Sequence, residues 1–489
     1  MCGILPFVDG LSFDRRQGVD GTEVAMEGFE KQVAKRLPLG EAVLRLFDFV
    51  CRKKFLDGVF ERHRGRSYEG EISFPLFVQL IADALLEHDG SGRKSFQRAE
   101  IDGKLTTSIR APYRKLARVP LSLSIGFLSE ATSALNKIYP ASVARKEVPS
   151  SLQDMEVIYY DGKKIKHVAK RLKALRKVRG HVLGGKLVVA QSLATGMALA
   201  LAACEDGETA DPPLVPDVLE EVRRVVPGPR LHVGDRAFCD LTQMGLFTGE
   251  EGDHFLTRWN RRLKFHRDDR WEANTGTDPR GLTYREDWGW IGSEEDPRRR
   301  YVRRIHLERP GKEEDVILLT DLTDPNEYPT DDLLQVYLQR WGIEQMFQKV
   351  TEVFNLCTLI GSSPKATVFQ ASFCLLLYNM IQVIRAYIAE GQEMEVKEIS
   401  IENLFYDVQR QLTAWNEVLP VEATVRLLST TWTAAQVANR LRQLLHGQWS
   451  ECWRKAPSNT HRAPPKNTDY LKGGHNSVYR LIQQARSGT

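Results

Sequence analysis

The chain has few cysteines, and none lies in a metal-binding or disulfide pattern. Its 489 residues include 7 cysteines, scattered from position 2 to position 452, without a Cys-x2-Cys pair or histidines at zinc spacing. An odd, dispersed set is typical of reduced thiols that are buried as small hydrophobic groups. Residues 1–20 also lack the basic start and the long apolar segment of a secretory signal peptide. These absences favour a cytoplasmic protein without a structural zinc site.

Long hydrophobic runs are also absent. The most apolar segment, residues 366–389, is interrupted by Gln370, Asn379, Gln382 and Arg385. A membrane span is expected to be predominantly apolar over about 20 residues, so this pattern predicts a buried core helix instead. No internal repeat is visible.

The excess of positive charge is small, but it is unevenly distributed. The formal net charge is +4, and 42% of the residues are hydrophobic, as in ordinary globular proteins. Residues 163–186 contain ten basic residues and no acid, and a second basic stretch covers residues 258–309. Clustered positive charge on a nearly neutral chain favours a phosphate-backbone partner. A solvated surface is the alternative, and it explains one such run better than several.

Two aspartates directly follow predicted strands. Residues 155–160 are rich in β-branched and aromatic side chains and are followed by Asp161. Residues 230–234 form a second short strand, which is followed by Asp235. Side chains at the end of a strand leave the sheet and can face a ligand. Taken singly, either aspartate is better explained as a turn or helix-cap residue.

A third acid lies on a predicted helix. At about 100° per residue, Tyr337, Arg340 and Glu344 fall in one stripe of this helix. A second, apolar stripe faces the core and comprises Val336, Ile343, Phe347, Val350 and Phe354. A carboxylate beside a guanidinium suits metal-assisted phosphate chemistry, because the carboxylate binds a cation and the guanidinium binds the phosphate. Without further context, an ion pair at the edge of the core is the simpler interpretation.

In combination, these residues resemble the DDE transposases of bacterial insertion sequences, in particular the IS-four-like group. The resemblance extends over roughly residues 40–480 and is carried by Asp161-Gly162-Lys163, Gly234-Asp235-Arg236-Ala237-Phe238, Leu318-Leu319-Thr320-Asp321-Leu322 and Tyr337-x2-Arg340-Trp341-x2-Glu344. It implies that Asp161, Asp235 and Glu344 are the catalytic acids. It also implies a hairpin intermediate at the DNA ends and a homodimeric synaptic complex.

One position departs from the family pattern. The signature is Tyr-x2-Arg-x3-Glu-x6-Lys, and its lysine position is occupied by Thr351. Lys349 is close in sequence, but it lies about 140° around the helix from Glu344. We therefore do not expect Lys349 to replace the missing lysine.

The order of predicted elements fits the same family. Together with the resemblance, it predicts an α/β protein with a ribonuclease-H-like catalytic core, a mainly β insertion and an N-terminal helical domain. The expected segments are an irregular arm (1–36), a helical DNA-binding domain (37–150), the first part of the core (151–258), the β insertion (259–329), the glutamate helix with C-terminal helices (330–444) and a basic tail (445–489).

Three converging carboxylates predict a divalent metal site. Two carboxylates about 4 Å apart repel each other by roughly 4 kcal/mol at an effective dielectric constant near 20. Oxygen ligands without histidine or cysteine favour Mg²⁺, with Mn²⁺ as a substitute. Two such ions can activate a water or a 3′-hydroxyl and stabilise the leaving oxygen. We expect Asp161 to bridge both ions, and Asp235 and Glu344 to bind mainly one each.

Candidate DNA contacts surround these acids. We expect Tyr337, Arg340 and Arg236 to hold phosphate near the scissile bond. Lys163 and Lys164 begin the basic run that follows the first aspartate, and we expect them to contact DNA as well.

Two tryptophans in the expected insertion are further candidates. Alternation in a strand over residues 282–291 puts Trp288 and Trp290 on one face. There they can stack on an unpaired base. A tryptophan pair that fills a small β core is at least as good an explanation.

The predicted function is DNA transposition in the bacterial cytoplasm, at the nucleoid. The chain would bind the inverted-repeat ends of its element, hydrolyse a strand there and join the 3′-hydroxyl to target DNA. A metal-dependent nuclease or a degenerate element copy is the main alternative, and Thr351 supports it. A DNA-binding regulator without catalysis is a third possibility, against which the three intact acids argue.

Overall fold

The first part of the chain is helical, as the apolar periodicity after residue 40 predicts. The structure is a computed structural model that describes residues 21–487 except 167, 312–313, 429–430 and 457–475, and only the backbone of residues 21–27. Within it the first helices are α1 (Gly21–Arg36), α2 (Pro38–Cys51), α3 (Lys53–His63), α4 (Phe74–Leu86), α5 (Gly92–Ile101), α6 (Arg110–Leu116) and α7 (Leu121–Asn136). Their apolar faces share one core, with Phe74 and Phe127 in edge-to-face contact at its centre.

The middle of the chain alternates strands with two helices. The strands are β1 (Glu156–Lys164), β2 (Val182–Leu183), β3 (Lys186–Ser192), β4 (Ala198–Cys204), β5 (Arg230–Gly234), β6 (Asp253–Arg258), β7 (Phe265–Arg267), β8 (Asn274–Thr277), β9 (Thr283–Ile291), β10 (Arg300–Leu307) and β11 (Val316–Thr320). Helices α8 (Val215–Val225) and α9 (Leu241–Phe247) flank β5 in sequence. The predicted bounds of β3 and β5 agree with the structure. Neither strand contains a proline or an internal glycine that would interrupt the strand pattern.

Most of these strands form a single mixed sheet. Among the described residues it has ten strands, in the order β4-β3-β1-β5-β6-β11-β10-β9-β7, with β8 paired to β9. Strands β1, β5 and β6 are parallel neighbours, and the pairs beyond them on either side are antiparallel. The expected mixed α/β fold is thus confirmed. Strands β7 to β11 continue the central sheet through the pairing of β11 with β6.

The last part of the chain is again helical. Its elements are α10 (Thr330–Gln339), α11 (Trp341–Glu352), α12 (Pro364–Gly391), α13 (Ile401–Val418), α14 (Val421–Leu428), α15 (Ala434–Leu445), β12 (Asn476–Ser477) and α16 (Val478–Ser487). By length and composition α12 is apolar enough to cross a membrane, but its most apolar window is 100% buried inside the protein. This agrees with the prediction of a core helix.

Two segments that we expected to be irregular contain regular elements. Residues 1–20 of the expected arm lie outside the described residues, whereas the rest forms α1. Within α1, Glu30 is buried and pairs with Arg426, a long-range contact that periodicity does not reveal. In the expected tail, β12 pairs with β2, and Arg480 of α16 forms ion pairs with Asp206 (2.7 Å) and Glu208 (2.6 Å). Residues 457–475 of that tail lie outside the described part.

The sheet carries a hydrophobic core on each face. Val157 and Tyr159 of β1 belong to a large cluster that includes residues of α10, α11 and α12. Ile158 and Tyr160 belong to a smaller cluster with α8 and α9. Because strand side chains alternate between faces, the odd-numbered residues of β1 point towards α10 and α11.

Candidate active site

One face of β1 runs beneath the helix pair α10–α11. The Tyr159 hydroxyl donates a hydrogen bond to the carbonyl oxygen of Val336 in α10 (2.9 Å). Four residues along the strand, the Lys163 ammonium lies 5.5 Å from the centre of the Phe347 ring in α11. Asp161 lies between them on the same face. The first predicted acid is therefore held under the helices that carry the third.

Strand β1 does not stop at Asp161, contrary to our expectation. It continues to Lys164 because its backbone stays paired with β3, where Asp161 lies opposite Val189 and Lys164 lies opposite Lys186. The parallel pairing with β5 ends at Tyr159. Asp161 therefore lies just beyond the end of its parallel neighbour, although it lies inside a strand.

A close approach explains the glycine that follows this aspartate. A Cβ at Gly162 would lie 1.8 Å from Oδ1 of Asp211, which forms an ion pair with the buried Lys186. The Gly162 N–H donates to Oδ1 of Asp161 (2.8 Å). The local sequence thus fixes both the path of the strand and one carboxylate oxygen of Asp161.

The second predicted acid directly follows β5, as the sequence predicts. Asp235 precedes the short 3-10 turn Arg236–Phe238, and its Oδ1 accepts the N–H of Ala237 (2.7 Å). The side chain is partly exposed. One oxygen of Asp235 therefore serves as a cap, which was the alternative interpretation of this residue.

The predicted glutamate helix is interrupted at Arg340, where α10 ends and α11 begins. The Arg340 N–H donates to the Tyr337 carbonyl oxygen (3.1 Å), and the Ile343 N–H donates to the Arg340 carbonyl oxygen (3.1 Å). Both bonds span three residues, so the chain tightens here to 3-10 geometry. The single stripe that we expected from Tyr337 to Glu344 is broken at this turn.

Arg340 and Glu344 nevertheless form the predicted pair. The distance from Arg340 Nη2 to Glu344 Oε1 is 3.0 Å, and the two side chains are 14% and 33% exposed. The Tyr337 ring lies 5.9 Å from the Arg340 guanidinium carbon. Tyr337 itself is only 7% exposed and belongs to the large hydrophobic cluster, so little of its side chain is available to DNA in this structure.

Burial dominates the electrostatics of Asp161. Loss of solvent raises the pKa of its carboxyl to about 6, although the hydrogen bond from Gly162 and the charge of Arg340 lower it. The negative charges of Asp235 and Glu344 add to the increase in pKa. Asp161 is therefore close enough to both other acids to be repelled by them, and Arg340 offsets part of this repulsion.

The acids do not form a closed ligand cluster in this arrangement. Within the ranges that the structure describes, no group of three or more His, Cys, Asp or Glu side chains is close enough together to hold a metal ion. The donor type still fits a hard divalent cation, since all three candidate ligands are carboxylates. One oxygen of Asp235 and one of Glu344 bind Ala237 and Arg340 instead. Binding of a cation would require these side chains to move together.

The side chains that we predicted to contact DNA phosphate differ in their surroundings; they include Arg236, Lys163 and Lys164. Arg236 Nη2 forms an ion pair with Glu314 (2.6 Å), and Arg258 Nη2 approaches the same carboxylate oxygen (2.8 Å). The sequence analysis missed Glu314, because no local pattern signals a pair that is 78 residues apart. Alternation along β1 places Lys163 and Lys164 on opposite faces. Only Lys163 therefore shares the face of Asp161.

The two tryptophans share one face of β9 but differ in burial. Trp288 is 8% exposed, and its indole N–H donates to the Thr323 carbonyl oxygen (2.8 Å). Trp290 is partly exposed and contacts the Tyr301 ring (5.2 Å between centroids) and the Arg299 guanidinium (4.5 Å). Burial favours a structural role for Trp288, and Trp290 is the more accessible aromatic face.

The middle of the chain matches a known protein family. Residues 153–380 match the family model of the transposase DDE domain. This chain therefore contains a transposase DDE domain. The matched region contains all three predicted acids and the strands between the second and third of them, and it is shorter than the stretch over which we saw the resemblance. No curated protein matches the chain significantly.

Proposed function

We propose that this transposase cleaves the ends of an insertion sequence of the IS-four-like group and joins the 3′-hydroxyl to target DNA. The observation that carries the proposal is the position of Asp161. It lies under α10–α11, its pKa is raised by burial, and it interacts with Asp235, Glu344 and Arg340. The sheet order β4-β3-β1-β5-β6 supports a ribonuclease-H-like core, in which the acids extend from neighbouring strands and a crossing helix.

The chain's own residues supply the surroundings of the reaction. Asp161, Asp235 and Glu344 are the residues that would hold Mg²⁺ or Mn²⁺. Bound divalent ions would supply a nucleophile at neutral pH and offset the charge on the leaving oxygen. Arg340 binds one oxygen of Glu344 and keeps its guanidinium beside the acids, where it can accept a DNA phosphate. Tyr337 packs against Arg340 and fixes its position.

The partners follow from this proposal. Inverted-repeat DNA and target DNA would contact Arg340, Arg236, Lys163 and Lys164, and Trp290 would offer a face to an unstacked base. Trp288, which is mostly buried, would then support this region of β9 from within the protein. We further propose a homodimeric synaptic complex and a cytoplasmic, nucleoid-associated location.

The deciding experiment uses a supercoiled plasmid that carries the inverted repeats flanking this gene. With Mg²⁺ we expect wild-type protein to release 3′-hydroxyl ends and to join them to a second DNA, and D161N and E344Q to bind the ends without cleaving them. End cleavage without joining would identify the alternative, a metal-dependent nuclease or degenerate copy, which Thr351 favours. Binding without cleavage by the wild type would identify a DNA-binding regulator, and normal cleavage by D161N or E344Q would refute the site.

A further inference from the structure

Lys163 is a half-buried cation beside the acids. Its side chain is partly exposed, and its ammonium lies 5.5 Å from the Phe347 ring centre. Among the described residues, no carboxylate forms an ion pair with it. A cation that is partly removed from water without a paired anion is well placed to bind an incoming phosphate.

The position of Lys163 relative to the site is defined by two contacts. It is two residues after Asp161 on the same face of β1. Phe347, on which its ammonium rests, lies one turn of α11 after Glu344. Lys163 thus lies on the Asp161 face of β1, next to the turn of α11 that follows Glu344.

A small cavity joins Lys163 to the position where the family signature has its lysine. The cavity, of about 40 Å³, is lined by Lys163, Lys164, Ile165, Lys166, Thr351 and Leu356. Thr351 is uncharged and therefore contributes no charge to the cavity. Its hydroxyl donates a hydrogen bond to the Phe347 carbonyl oxygen (2.6 Å). Lys349 lies elsewhere on α11 and pairs with Glu402 (2.8 Å).

We propose that Lys163 and Thr351 border one phosphate-binding subsite, in which Lys163 of β1 supplies the cation that position 351 of α11 lacks. The ligand is a DNA phosphodiester next to the scissile bond, and this inference rests on the proposed function. Lys164 and Lys166 also line this cavity, but among its lysines only Lys163 rests on a ring of α11, the helix that carries position 351. A lysine at position 351 would extend from α11 into the same cavity.

The test is a charge-relocation series in the full-length protein. K163Q should slow end cleavage by roughly 10- to 100-fold, as expected for loss of one charge-assisted phosphate contact. It should also reduce the salt slope of end-DNA binding by about 0.9 in log K against log salt. K163R should remain close to wild type. In K163Q/T351K, the relocated lysine should return the cleavage rate to within about threefold of wild type, a coupling that independent sites would lack.

K54Q is the matched control, since it removes the same charge from an exposed position of α3 that does not line the cavity. Adding T351K to K54Q should not raise its cleavage rate, and circular dichroism should show that all variants retain the wild-type fold. Normal cleavage by K163Q, or no recovery in K163Q/T351K, would overturn the subsite. If wild-type protein itself fails to cleave end DNA, the proposed function is refuted. The subsite is then tested by the salt dependence of DNA binding alone, and equal salt slopes for K163Q and wild type would refute it.

Discussion

The raised pKa of Asp161 predicts that this buried carboxyl destabilises the folded protein at neutral pH. An unfolded chain releases this proton near the ordinary pKa of 3.8, whereas the folded protein holds it up to a pKa of about 6. Between these values the folded state binds more protons, so the free energy of unfolding decreases as the pH rises. A difference of about 2 units corresponds to about 3 kcal/mol when the titration is complete.

The variant D161N isolates this contribution. Its amide oxygen can still accept the Gly162 N–H, but it carries no charge at any pH. We expect D161N to be as stable as wild type at acidic pH and to gain about 2 kcal/mol relative to it between about pH 4.5 and about pH 7.5. The measurement is denaturant-induced unfolding of both proteins across this range. The control is D269N, since Asp269 is exposed in the loop after β7.

Divalent metal provides a second measurement on the same pair of proteins. If Mg²⁺ binds the acids, it stabilises folded wild type by linkage and stabilises D161N much less. The advantage of D161N at neutral pH should therefore shrink when Mg²⁺ is added. A stability difference between D161N and wild type that does not change with pH would refute the reasoning about burial at this site.

Three further predictions concern other contacts. E344Q should lose Mg²⁺-dependent cleavage, while a gel-shift assay with end DNA gives an affinity close to that of wild type; cleavage at the wild-type rate would contradict the role of Glu344. W288A should lose roughly 3–5 kcal/mol of stability because it empties a buried site, whereas W290A should melt near the wild-type temperature and stall after the first nick; the reverse order of melting temperatures would contradict the burial argument. R303L should cost about 3–5 kcal/mol in denaturant unfolding, since it leaves the buried Glu286 without its cationic partner at 2.8 Å; a variant as stable as wild type would contradict this estimate.

The sequence predicts a helix or strand well where one physical rule, such as the burial of an apolar segment, determines it. Strand β3 is buried over its whole length around the apolar run 187–190, and helix α12 is largely apolar and almost entirely buried. In both cases burial follows directly from composition and length. The spacing of Asp161, Asp235 and Glu344 adds an order of strand, strand and helix, which is enough to anticipate the family.

The sequence does not predict those features that depend on contacts between residues far apart in the chain. The charged residues Lys163 and Lys164 suggest that β1 has ended, but pairing with β3 keeps them in the strand. The turn at Arg340 contains no proline, and a single glycine, Gly342, inside a helical pattern does not by itself predict a break between α10 and α11. Alternation correctly groups Trp288 with Trp290, yet it cannot reveal that the Thr323 carbonyl oxygen covers one of them.

The turn at Arg340 also explains how the site can remain stable before a cation binds. Three carboxylates around a buried position repel one another, and a protein without compensation would hold them apart or leave them protonated. Here Arg340 binds Glu344 at 3.0 Å and lowers the pKa of Asp161 from the same position. One guanidinium thus substitutes for part of the missing positive charge. A cation that binds all three acids would compete with Arg340 for Glu344, which would free the guanidinium for a DNA phosphate. Cation binding by Glu344 and phosphate binding by Arg340 would therefore be coupled through this turn.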